Sequence, residues 1–183
     1  MSDARPHLLH VFSTFVAAGP QVRVAGLIES FAGRYRHSIA ALDGRTEARE
    51  LLAPGSAAVL AAPPRAGTLA TVPRLRALIV RERPDAVLTY NFGAMDGALA
   101  ARLLGVPQVH HEDGFRPDEV ERQLVRRALY RRVALRRATV VVISENLRRI
   151  ALETWRLAPE RVVFIPNGID VASFAPRDGN PAL

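Results

Sequence analysis

The sequence predicts an α/β domain: a doubly wound parallel sheet of about seven strands, order 3-2-1-4-5-6-7, with helices on both faces. Three observations carry this. Short apolar, β-branched runs alternate with helical-period stretches along 183 residues, and such alternation implies right-handed crossovers and a sheet covered on both sides. Glycine and proline punctuate the series at the expected element ends, as at Gly44, Pro84 and Gly105. Exit loops that could carry a site follow the first, fourth and fifth strands, at 14–19, 91–93 and 110–114. In this order they meet beside the switch point between strands one and four, the crevice where open parallel sheets bind ligands.

The elements follow in order. HLLHVFS, residues 7–13, is an apolar run with β-branched and aromatic content, hence a buried first strand. His10 within it reads as a satisfied neutral core histidine. TFVAAG, residues 14–19, is a loop of small residues, and Pro20 suits a first helical turn, where its missing N–H costs nothing. Val24, Leu27, Ile28 and Phe31 mark one face of a helix over 21–34. A second strand over 36–42 closes at Asp43-Gly44, and a short helix near 47–53 and a short strand near 57–61 follow. APPRAG, residues 62–67, can extend neither helix nor ladder. A helix over 69–83 stops at Pro84, and DAVLTY, 85–90, is a strand with the exit loop Asn91-Phe92-Gly93. A helix over 94–104 stops at Gly105, and a short strand over 107–109 runs into His110, His111, Glu112, Asp113 and Gly114. Pro117 begins a long helix reaching about Arg137, with Asp118 and Glu119 favourable at its positive end. A strand over 138–143, a helix over 145–155 and a strand over 161–165 complete the series.

Composition narrows the function classes. The chain is long enough for one domain with its own core, and 49% hydrophobic with 23% charged residues is globular usage. Without cysteine, disulfides and thiolate metal sites are excluded. No apolar run reaches the roughly 18 residues of a membrane span, and the N-terminus has no signal-peptide pattern, so a cytoplasmic location is expected. The net charge of +7 comes from 25 basic residues, all arginine. They are spread over nearly every segment, not gathered in an aromatic-interleaved patch, so nucleic-acid binding is not expected. Attraction to an anionic membrane surface fits the charge better. The paired arginines from Arg126 to Arg137 spread around their helix and read as a solvated face, with membrane or partner contact the lesser alternative.

The rim residues admit several chemistries. In an extended segment His110 and Glu112 share one face and His111 and Asp113 the other. They could be solvated loop groups, buried partners of a site, or the site itself. Adjacent histidines point apart and no third ligand is spaced nearby, so no metal site is expected. Gly19 precedes a helix N-terminus, a natural anion cradle, but VAAGPQ holds one glycine and lacks the dinucleotide fingerprint. Asn91 offers an amide to a sugar hydroxyl, Phe92 an aromatic face and Gly93 close approach; equally, Asn91 could only turn the chain.

Taken together, the motifs resemble the N-terminal half of a GT-B glycosyltransferase of the retaining family 4, in which two Rossmann-like domains face each other across a cleft. HLLHVFSTF is similar to that family's first strand and AAGPQVR to its glycine loop. NFGAMDGALAARLLGVPQVHHEDG looks like an Asn-aromatic-Gly turn, a helix and a GVP strand leading to His-x-Glu-His-Gly. PERVVFIPNGID, the most specific match, resembles the approach to the interdomain linker.

The resemblance implies that residues 1–170 form the acceptor-side domain and 171–183 begin the linker, with the donor-binding C-terminal domain lying outside this chain. It implies transfer of a sugar from a nucleotide-diphosphate sugar to a glycan or lipid-linked acceptor, retaining, without metal or cofactor. His110 would orient the transferred sugar, and Gly19 would face the donor phosphates. Gln21, Asn91, Phe92, Gly93, His111, Glu112 and Gly114 would contact sugar or acceptor. Asp113 stands where the family more often has histidine, and Ala18 replaces its first loop glycine. The expected partners are the C-terminal GT-B domain, in the same or a second chain, the nucleotide sugar, the acceptor and a peripheral membrane contact. The isolated chain is expected to be inactive. The alternative is a non-catalytic glycan- or partner-binding domain.

Overall fold

The computed structural model describes residues 5–64, 66–114 and 124–168. Twelve elements build it: β1 (His7–Phe12), α1 (Gly19–Ser30), β2 (Arg36–Ala41), β3 (Ala57–Leu60), α2 (Gly67–Glu82), β4 (Ala86–Tyr90), α3 (Met95–Leu104), β5 (Gln108–Glu112), α4 (Val125–Ala134), β6 (Thr139–Val142), α5 (Glu145–Glu153) and β7 (Val162–Phe164). The strands form one sheet in the order β3-β2-β1-β4-β5-β6-β7. Every neighbouring pair is parallel. The expected order is observed in full.

Right-handed crossovers put the helices on both faces, because the chain winds one way from β1 to β3 and the other way from β4 onward. On the first face Phe12, Ile39 and Tyr90 pack against Val24 and Ile28 of α1. On the other, Leu9, Val11, Ala40 and Val87 meet Val72, Leu75, Leu78 and Ile79 of α2. Val140 and Val142 of β6 close the second face with Leu147 and Ala151 of α5 and the fully buried Trp155. An indole of this kind removes about 150–250 Å² from water, about 4–6 kcal/mol gross. Gly97 lets α3 lie close on β1: a Cβ there would stand 3.0 Å from Val11 Cγ1.

Several boundaries differ from the sequence reading. The helix expected to reach residue 34 ends at Ser30, and Gly33 then takes a left-handed turn at φ 81°. The short helix at Glu47–Leu51 is 3-10. Strand five does not stop at residue 109 but continues through Glu112, with His110, His111 and Glu112 opposite Val140, Val141 and Val142 of β6. The ladder bonds of β6 hold these polar residues extended, a tertiary effect that local polarity hides. The start of the long helix expected at Pro117, with Asp118 and Glu119, lies outside the described residues. Within them Leu124 is extended (ψ 124°) and α4 runs only to Ala134.

Candidate functional site

The C-terminal ends of β1, β4 and β5 are neighbours in the sheet, so the loops after them share one rim. Asn91 ties two of these ends together. Its N–H donates to His111 O at 2.8 Å, its Oδ1 accepts from Asp113 N at 2.7 Å, and its Nδ2 donates to Asp113 Oδ2 at 3.4 Å. It does so at φ 54° and ψ 177°, a region ordinarily left to glycine and costing about 1–3 kcal/mol. Asn91 therefore turns the chain and also fixes the rim.

Arg23 of α1 ties in the third element. Its Nη1 pairs with Asp113 Oδ1, its Nη2 donates to Asp113 Oδ2 at 3.2 Å, and Nη1 also reaches Asn167 Oδ1 at 2.6 Å, beyond β7. A two-pronged guanidinium–carboxylate pair fixes geometry better than a single contact. The exits of β5 and β7 thus meet at one α1 side chain, and Asn91 joins the β4 exit to them through Asp113. Sequence reasoning missed Arg23, because nothing in its spacing separates it from the other arginines.

His111 faces this cluster. Its ring stacks on Tyr90 at 5.3 Å and 23° and makes no hydrogen bond among the described residues. Burial, then the charge of Arg23, pulls its pKa down to about 4, with Asp113 opposing. At neutral pH it is therefore an uncharged imidazole able to donate one hydrogen bond and accept another.

His110 and Glu112 share a face as expected, but it is the inner one, and both are completely buried. His110 Nδ1 lies 2.8 Å from Thr89 Oγ1, and its Nε2 lies 3.4 Å from Glu112 Oε2. The same carboxylate oxygen accepts from Arg131 Nε at 3.2 Å, whereas Glu112 Oε1 is buried without a partner among the described residues. A carboxylate can only accept, so His110 Nε2 carries a proton toward it.

Arg131 corrects the expected solvated arginine face, since it is fully buried. Its guanidinium lies 4.7 Å from the Phe92 ring and 4.9 Å from Trp155. Arg127 also lies over Phe92, at 5.1 Å, so the Phe92 face is held by guanidinium groups of α4. Helical angle puts Arg131 on the inward face of α4 with Ala128 and Ala134, and the contact with Glu112 gives its charge a partner there.

On the β1 side, Gln21 is buried and its Nε2 donates to Thr14 O at 3.0 Å. Gln21 Oε1 and Thr14 Oγ1 are buried with no partner among the described residues. No side chain caps α1 at Ala18, so the first N–H groups of the helix remain open to the rim. Gly19 is exposed, and a Cβ there would meet nothing within 4 Å. Gly93 is different: a Cβ would stand 2.5 Å from Ser13 Cβ and 2.7 Å from Ser13 Oγ, at the end of β1. Gly93→Ala is expected to destabilise the fold by about 1–3 kcal/mol through this overlap. A urea midpoint unchanged from the parent would refute that packing role. Gly114 follows Asp113 at the exposed end of β5. Among the described residues no three His, Asp or Glu side chains converge as metal ligands. None of the helices there is long and apolar enough to cross a membrane.

The sheet order and the exit loops converging at its switch point define a Rossmann-like domain, the architecture of one half of a GT-B fold. The chain belongs to the glycosyl transferase 4-like domain family, whose pattern matches residues 18–168. No curated protein sequence matches it. Among solved structures it is similar to Anabaena HepE in complex with UDP-glucose, with TM-score 0.69 and 16% identity over 91% of this chain and 45% of that one. A glycosyltransferase from Rickettsia africae gives TM-score 0.65 and 15% identity over 97% and 47% of the two chains. UDP-GlcNAc 2-epimerase from Neisseria meningitidis bound to UDP-GlcNAc gives 0.60 and 17% over 86% and 46%. The chain therefore spans less than half the length of each.

Proposed function

We propose that this chain is the acceptor-side domain of a retaining, metal-independent glycosyltransferase. It would move a sugar from a nucleotide-diphosphate sugar to a glycan or lipid-linked acceptor. The observation that carries the reading is the convergence of the β1, β4 and β5 exit loops at the switch point of a domain in this family. The solved relatives bound to UDP-glucose and UDP-GlcNAc support a nucleotide-sugar donor. Transfer is then dominated by positioning and by stabilising the leaving diphosphate. A facing second domain supplies the other wall of the cleft, and this chain alone turns over no donor.

In this reading Gly19 and the open start of α1 lie on the phosphate side. His111 meets a hydroxyl with its uncharged ring, beside Asn91, Gly93 and Gly114. Gln21 and Thr14 offer hydrogen-bonding capacity that the described residues leave unused. Phe92 and Glu112 shape the site from beneath. His110 orients the sugar by exchanging its long 3.4 Å contact to Glu112 for a sugar hydroxyl. In the enzyme carrying both domains, His110→Ala is expected to lower kcat at least about tenfold, or about 1.4 kcal/mol. An unchanged kcat refutes the role.

A second reading, a non-catalytic glycan- or partner-binding domain, is favoured by the complete burial of His110 and Glu112. The two part cleanly. Donor-dependent transfer by the two-domain protein supports the first. Glycan binding with no turnover, unaffected by His110→Ala, supports the second.

A further inference from the structure

The outward side of α4 combines charge and apolar surface in a way the rim does not use. At about 100° per residue, positions 125, 129, 132 and 133 of α4 fall within about 100° of arc. Val125 is 76% exposed, Leu129 58% and Val133 42%; Arg132 is exposed on the same stripe, and Arg136 is exposed just past the helix end. The arginines of this segment spread around the helix as expected, Arg131 inward and Arg132 outward.

Beside the stripe, the C-terminal ends of α3, α4 and α5 frame a groove of about 560 Å³ whose lining includes Arg102, Arg132, Arg136 and Arg156 with Leu129 and Val133. No acidic residue lines it among the described residues. A helix-terminal carbonyl accounts for Arg102, which donates to Val133 O. The side chains of Arg132, Arg136 and Arg156 make no hydrogen bond or ion pair among the described residues, and Arg156 sits in the left-handed region at φ 53°. Like charges gathered in one groove repel one another, and the large apolar side chains alongside them remain in water. A phosphate-rich layer over an apolar interior would satisfy both features: anionic headgroups answer the guanidinium groups, and valine and leucine enter the headgroup boundary. A free phosphate would answer only the first.

We propose that the α4 stripe and the adjoining arginine groove dock this domain on an anionic membrane surface. Such docking would occur whether or not the domain serves a transferase.

The test is co-sedimentation of the chain with vesicles of phosphatidylcholine alone and of an equal mixture with phosphatidylglycerol. Binding to the mixture only is expected. The variant R132Q/R136Q/R156Q should lose about a hundredfold in partitioning, at roughly fivefold per arginine near a charged surface. R49Q/R76Q/R83Q removes the same charge from exposed positions elsewhere and should bind close to the parent. L129Q/V133Q should abolish the fraction that survives high salt. Circular dichroism verifies that each variant is folded. Equal losses in both arginine triples would mean diffuse attraction by the net charge of +7 and would overturn the proposal. So would no binding to the anionic vesicles, or a self-association in sedimentation equilibrium that disappears with the α4 variants while vesicle binding does not change.

Discussion

Arg131→Met is expected to destabilise the domain by about 3–5 kcal/mol, because it strands the fully buried carboxylate of Glu112 without its charge partner. For a chain of this length that is a fall in Tm of about 6–20 °C. Methionine nearly preserves volume between Phe92 and Trp155, so the loss isolates charge rather than cavity formation. Glu112→Gln added to Arg131→Met should recover a large part of the stability, since no uncompensated charge then remains. The comparison requires thermal melts of the two single variants and the double. Strictly additive losses would show that the pair does not hold the β5–α4 junction together. The same experiment bears on the rim, because Glu112 also holds the Nε2 side of His110.

The second large effect is with pH. His10 is buried at the sheet centre, with Nδ1 2.7 Å from Tyr90 OH and Nε2 3.0 Å from His37 Nδ1. Burial, then the neighbouring histidines His37, His111 and His7, brings its pKa down to about 3. Burial and Arg36 lower that of His7, burial and Arg5 that of His37, and His111 falls to about 4. All four take up protons more readily once unfolded, where the value is near 6.5. Their contribution to stability is therefore complete above pH 6.5 and is lost progressively as pH falls toward 4 and 3. The loss should reach several kcal/mol, since each tenfold difference in proton affinity between the folded and unfolded chain is worth about 1.4 kcal/mol. Urea midpoints measured from neutral pH down to about pH 4.5 should drop steadily. His10→Gln, which carries no titrating ring, should show a shallower slope. An identical slope would sink the idea that His10 drives the effect.

Much of the architecture is legible in the sequence because periodicity is local. HLLHVFS and ATVVVI read as buried strands, and their alternation with helical runs implies the crossover sense and the order of the sheet. The rim is legible too, since strand ends at a switch point are where polar clusters become neighbours. Which face each polar residue takes is harder. Alternation pairs His110 with Glu112 correctly, but the choice between inward and outward depends on how far β6 extends the ladder. The paired arginines of 126–137 escape a local reading for a similar reason. Helical angle alone could separate inward from outward positions, but only the buried carboxylate of Glu112 makes the inward position of Arg131 tolerable.

The sequence by itself determined the doubly wound sheet, the placement of three exit loops at one rim, and the motifs that mark the family. Those follow from hydrophobic period, turn residues and the handedness of the chain, all properties of neighbouring residues. Only the tertiary structure decided that Arg23 binds Asp113 and Asn167 across the rim. It also decided that His110 is locked between Thr89 and Glu112, while the ring of His111 makes no hydrogen bond among the described residues. Those pairings join residues as far apart as 144 positions. Their strength comes from desolvation and opposed charge at the place where the elements meet, which no short stretch of sequence contains.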